Sequence, residues 1–170
     1  MQVPGVDYTK KFSPVTKEAT TKLIIAFTLS RQNKEQKCYV IDIEVAFLEG
    51  QINIPMLIKW LPGMVSLGYI TEQMKKLQCI RLKGIIYGNI NAALRVYHLY
   101  AQYFIKMGFI RSCADPCLLI FRNEQLEVIM LASCHIDDTQ IAGEKAELEK
   151  FKQELCERFN IKDLGVMKKH

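Results

Sequence analysis

Apolar positions along this chain follow two rhythms, one close to the 3.6-residue helical period and one of short, nearly continuous β-rich runs. Thr16 can cap a helix running to about Arg31, with Glu18 in its first turn and Leu23, Ile24, Ile25, Phe27 and Leu29 inside it as a core segment. From Asn91 to Met107 the positions Ala93, Val96, Tyr100, Phe104 and Met107 recur at helical spacing, and Gly108 is placed to stop that helix. Lys145 to Phe159 is amphipathic, with Leu148, Phe151, Leu155 and Phe159 on one stripe. The second rhythm predicts strands over Cys38–Ile43, Cys117–Arg122 and Val128–Cys134, with a return strand over Thr139–Ala142 and short pieces over Cys79–Leu82. Gly50 to Trp60 suits a small hairpin closed by the Pro62-Gly63 turn, and Asn123 to Leu126 reads as a polar turn. A last strand is expected to begin near Val166, short or missing.

Strands separated by long helices, with the middle two joined as a hairpin, predict an α+β fold. Its form is a split β-α-β antiparallel sheet with helices on one face. In that arrangement the strand ending at Asp42 and the strand before Asp137-Asp138 are neighbours, which brings three carboxylates together. Like charges at roughly 4 Å cost about 4 kcal/mol at an effective dielectric of about 20, so such a cluster calls for a divalent cation or a proton. Oxygen-only ligands suit Mg²⁺ or Mn²⁺. Spacing alone leaves open that Asp42 and Asp137-Asp138 are separate turn and cap residues.

Composition changes this picture little. The 170 residues are 49% hydrophobic and 24% charged, as expected of one globular unit without internal repeats or linkers. A net charge of +5 favours encounter with a polyanion but is too small to identify one. Six scattered cysteines read as reduced, mostly buried thiols, and the C-x-x-x-C pair Cys113/Cys117 lacks the second pair a zinc site needs. No secretory leader or membrane-length apolar run is read, so the expectation is an intracellular protein, cytoplasmic or nuclear and not secreted, without a membrane partner.

Several segments, in order, resemble the reverse transcriptase of copia-type LTR retrotransposons. They are Gln2-Val-Pro-Gly-Val-Asp-Tyr8, Phe12-Ser-Pro-Val15, Ile41-Asp-Ile-Glu-Val-Ala-Phe-Leu-Glu-Gly50, Tyr87-Gly88, the Gly108–Cys117 run, His135-Ile-Asp-Asp138 and Lys162-Asp-Leu-Gly165. The resemblance implies an RNA-directed DNA polymerase of the Pol polyprotein, working by two-metal nucleotidyl transfer with two Mg²⁺ or Mn²⁺ ions on a template-primer of RNA or DNA and a dNTP. It implies that Asp42, Asp137 and Asp138 are the catalytic, metal-binding aspartates. It further implies that Phe47 lies under the sugar of the incoming nucleotide, where Phe47 reads equally as a core aromatic, and that Asn91 stands near the nucleotide.

The same resemblance predicts a polymerase palm over about 37–49 and 91–170, with partial fingers over about 1–36 and 50–90. Thumb, RNase H and integrase regions are expected to be absent, so activity of the chain alone is expected to be weak or nil, with self-association through exposed palm surface. Departures from the family are His135 in place of Tyr, Asn91 in place of Gln, Leu94 in place of Arg, and Glu44 where a basic or neutral residue is commoner. A different class of reading, a non-catalytic nucleic-acid-binding or interaction module on the palm scaffold, would need exposed aromatics on its central strands to be an RNA-recognition domain. Val128–Cys134 has none.

Overall fold

The structure, a computed structural model, describes residues 12–30, 35–43, 57–83, 92–135 and 138–167. In chain order the elements are α1 (Glu18–Ser30), β1 (Gln36–Ile43), β2 (Leu57–Ile58), α2 (Glu72–Leu77), β3 (Ile80–Arg81), α3 (Ala92–Lys106), β4 (Ile110–Arg111), β5 (Leu118–Arg122), β6 (Val128–His135), β7 (Asp138–Glu144), α4 (Lys145–Arg158) and β8 (Ile161–Val166). Six strands form one sheet in the order β4-β5-β6-β7-β1-β8, every neighbouring pair antiparallel. Because β7 lies between β1 and β6, those two run parallel and are joined through α3. By the same logic β7 and β8 run parallel and are joined through α4.

Strand alternation divides the core in two. Tyr39, Ile41 and Ile43 of β1 point to one face, where Val96, Tyr100 and Phe104 of α3 and Leu148, Phe151 and Leu155 of α4 pack on them. Cys38 of β1 points to the other face and meets Leu118, Leu131 and Ala142 beneath Ile24 of α1. Each large apolar side chain so buried contributes roughly 1.5–3 kcal/mol. Two glycines permit the close approaches in this packing. Gly108 ends α3 at φ +96°, and a Cβ at Gly143 would stand 2.6 Å from Met130 Cγ and 3.0 Å from the Ile129 carbonyl oxygen.

The fold departs from the sequence pattern in several places. Helices cover both faces of the sheet rather than one, because β1, β6 and β7 are apolar on both sides and the second side needs a cover. That cover, α1, is not a core helix: Ile24 is fully buried, while Leu23, Ile25 and Leu29 remain exposed. Thr16 does not cap it; the Thr16 hydroxyl pairs with the Ser133 hydroxyl at 2.8 Å, and Asp115 takes the free N–H of Lys17. The last strand starts at Ile161, not near Val166, and pairs with β1. Asp138 opens β7 rather than sitting in the turn. Leu57–Ile58 pairs with Ile80–Arg81, while the expected strand partner before it, from Gly50 on, lies outside the described residues. The six-residue α2, capped by the Thr71 hydroxyl on the Met74 N–H, and the two-residue β4 had no periodic signature long enough to read.

Candidate functional site

The strand register sets one row of polar side chains across four adjacent strands. Asp42 on β1 stands directly opposite Asp138 on β7 and, on its other side, Lys162 on β8. Asp138 in turn stands opposite His135 on β6. Ile41 and Ile43 flank Asp42 and are buried under α3 and α4, so Asp42 projects to the opposite face, the one α1 partly covers. Directly opposed residues share a face, so Lys162, Asp42, Asp138 and His135 line it in that order. Asp42 and His135 are half-buried, Asp138 and Lys162 exposed.

Directly opposed Cβ atoms lie about 4.5–5.5 Å apart, so two side chains of like charge at these positions destabilise one another. Water at exposed Asp138 reduces this. Lys162 offsets part of it from the other side of Asp42. Two carboxylates held this way form a hard-oxygen donor set suited to a divalent cation. Among the described residues no three His, Cys, Asp or Glu side chains gather closely enough to hold a metal; Asp137, the third expected carboxylate, lies outside them. Phe47 and Asn91 also lie outside the described residues, as does Glu44. Leu94, at the position expected to carry an arginine, packs against Tyr97, Ala101 and Cys117 beneath the turn that leads into β5.

Lys162 was legible only as part of a sequence run, because its relation to Asp42 depends on where β8 pairs. That pairing is fixed by its neighbours. Asp163, one residue on, turns to the helical face, where its Oδ2 accepts from Lys152 Nζ at 2.5 Å and its Oδ1 accepts the Gly165 N–H at 2.8 Å. Lys152 also lies 4.1 Å from the centre of the Tyr39 ring, whose hydroxyl donates to Glu149 Oε1 at 2.7 Å. Lys152 hydrogen bonding holds the Asp163 carboxyl below the ordinary carboxylate range, and the Tyr39 hydroxyl does the same for Glu149. Gly165 at φ +92° forms the bulge that lets Val166 rejoin β1 opposite Tyr39.

A family model described as reverse transcriptase (RNA-dependent DNA polymerase) matches residues 1–170. Similar curated proteins include the retrovirus-related Pol polyproteins from transposons RE2 and RE1 of Arabidopsis thaliana, 28% and 27% identical over 95% of this chain. Another is that from transposon TNT 1-94 of Nicotiana tabacum, 26% identical over 96% of it. The chain spans about a tenth of the length of these relatives, 10–12%. No solved structure matches it. No described helix is long and apolar enough to cross a membrane.

Proposed function

Since this chain belongs to the reverse transcriptase (RNA-dependent DNA polymerase) family of copia-type retrotransposons, we propose that its acidic row is the centre of a nucleotidyl transfer on a primer 3′-hydroxyl. One observation carries the proposal: Asp42 and Asp138, 96 positions apart, face one another on adjacent strands of one sheet face. The strand order β6-β7-β1-β8 with α3 and α4 as the crossovers supports the split β-α-β palm. On this reading residues 37–49 and 91–170 form the palm, with 1–36 and 50–90 as fingers.

Asp42, Asp137 and Asp138 would hold two Mg²⁺ or Mn²⁺ ions. When bound, such ions lower the pKa of the attacking hydroxyl and neutralise the triphosphate. The protein's own groups provide placement and charge. Lys162, exposed at the sheet edge beside Asp42, meets phosphate oxygens as a point charge. By family resemblance Phe47 is assigned to the sugar of the incoming nucleotide and Asn91 to the nucleotide. His135, opposite Asp138, presents a smaller ring than tyrosine to the primer end.

Primer extension on an RNA template in Mg²⁺ or Mn²⁺ tests the reading. The expected result is short, metal-dependent extension that Asp42→Asn and Asp137→Asn each abolish. Equal incorporation by all three proteins would show that these carboxylates do not produce the signal. Salt-sensitive RNA binding without any extension, unchanged in Asp42→Asn/Asp137→Asn, would instead identify a binding module on the same scaffold.

A further inference from the structure

Asp115 lies in the turn between β4 and β5 and is 2% exposed. Its carboxylate accepts three hydrogen bonds: Oδ2 from the Lys17 N–H at 2.9 Å and from the Thr20 hydroxyl at 2.5 Å, and Oδ1 from the Cys117 N–H at 2.9 Å. Burial by itself raises its pKa, but these hydrogen bonds outweigh burial and hold it below the ordinary carboxylate value. Two of the donors belong to the start of α1, distant in sequence and not joined to the turn by any strand pairing. Two further bonds fasten the same place. Lys17 Nζ donates to the Ala114 carbonyl oxygen at 2.7 Å, and the Thr16 and Ser133 hydroxyls pair at 2.8 Å. The Tyr97 hydroxyl of α3 donates to the Pro116 carbonyl oxygen at 2.8 Å, which ties the turn to that helix as well.

Position gives this latch its meaning. Ser133 points to the same sheet face as His135, two residues along β6, and is opposed by Gln140, two residues from Asp138 on β7. The chain entering α1 is therefore tied down about 7 Å along the strands from the acidic row. It brings exposed Phe12 and Val15 with it on the segment that leads to Thr16. Exposed apolar side chains of this kind suit the base and sugar surfaces of a polynucleotide.

We propose that Asp115 is a positioning residue: by fixing Thr16 and Lys17 against the sheet it holds the chain entering α1 at one side of the surface on which a template-primer rests beside Asp42, Asp138 and Lys162. The inference rests on the polymerase reading of that row. Asparagine cannot replace the carboxylate here, because two oxygens serve three donors and an amide offers one oxygen while presenting N–H groups to the others.

The test is anisotropy of a labelled DNA primer annealed to an RNA template, titrated with the full chain in Mg²⁺, with melting temperatures measured alongside. Asp115→Asn and Thr20→Val are expected to weaken binding about tenfold. Thr20→Ser, which keeps the hydroxyl, is expected to stay within about twofold of the unsubstituted chain. Ile141→Val, a core change away from the latch, should lower the melting temperature without weakening binding. Should Asp115→Asn fail to fold, Thr20→Val and Thr16→Val carry the same test. Wild-type affinity in the folded latch variants overturns the proposal, as does a loss in Ile141→Val that follows melting temperature along the same line as theirs. A wild-type chain that binds no template-primer overturns the polymerase reading as well, whereas binding that ignores the latch overturns this inference alone.

Discussion

Asp42 has a neighbour of like sign on one side, Asp138, and of opposite sign on the other, Lys162. Without metal the first contact is repulsive and the second too exposed to cancel it. Asp42→Asn is therefore expected to raise metal-free stability by about 0.5–1 kcal/mol and, under the proposed metal role, to remove the stabilisation that added Mg²⁺ would give. Urea unfolding with and without Mg²⁺ measures both, and a drop in metal-free stability would contradict the like-charge account. The motif order made Asp42 and Asp138 legible as partners. It said nothing of Lys162, whose position depends on the pairing of an edge strand. Gly143 makes a different residue-scale case, with no chemistry of its own. It faces Met130 across β6 and β7, where an added methyl would meet both side chain and backbone. Gly143→Ala is expected to cost about 1–3 kcal/mol in the same unfolding assay.

At the scale of elements, β8 shows most clearly what pattern reading misses. Ile161-Lys-Asp-Leu-Gly-Val166 contains Asp and Gly, both poor strand formers, and most of its residues are exposed. It is a strand because β1 offers a free edge and because Lys152 of α4 anchors Asp163. That anchor carries a pH signature. Asp163 and Glu149 have depressed pKa values, so their contribution is complete above the unfolded value of about 4 and is lost as pH falls through the lower folded values. Lys152 is shifted upward: its burial opposes the charge, but the Asp163 hydrogen bond and the charges of Asp163 and Glu149 prevail. Its contribution is lost only as pH rises through that raised value. Asp163→Asn should therefore flatten the acid limb of stability below about pH 5 while changing little near neutrality beyond about 1 kcal/mol, since these groups are partly solvated. Denaturant midpoints across that range decide it. By contrast α3, α4, β5 and β6 fall close to where periodicity puts them, because each buries a continuous apolar stripe or run.

At the scale of the whole molecule, the described residues bury apolar clusters on both sides of one sheet, and none of the six cysteines is bridged. Burial pushes the Cys38 and Cys117 thiols up to about 11 and that of Cys134 up to about 12, while Cys79, Cys113 and Cys156 are exposed, so the thiols are not mostly buried as their apolar sequence contexts predict. Thiol titration of the native protein at about pH 8 is expected to find three fast groups, with the other three reacting only on unfolding. Reductant should leave the melting temperature unchanged. Six fast thiols would mean that the layers around β1 and β6 open readily.

The sequence by itself determined the helices with long apolar stripes, the central strands, the adjacency of the Asp42 and Asp138 strands and the family, because these depend on local periodicity and on ordered motifs. Tertiary structure decided which face each helix covers, that Asp115 rather than Thr16 secures α1, and that Lys162 stands beside Asp42. Those outcomes depend on contacts between residues 98 and 120 positions apart, which no local window contains. They arise because buried hydrogen-bonding groups and free strand edges must find partners, and the partners available depend on how the whole sheet is assembled.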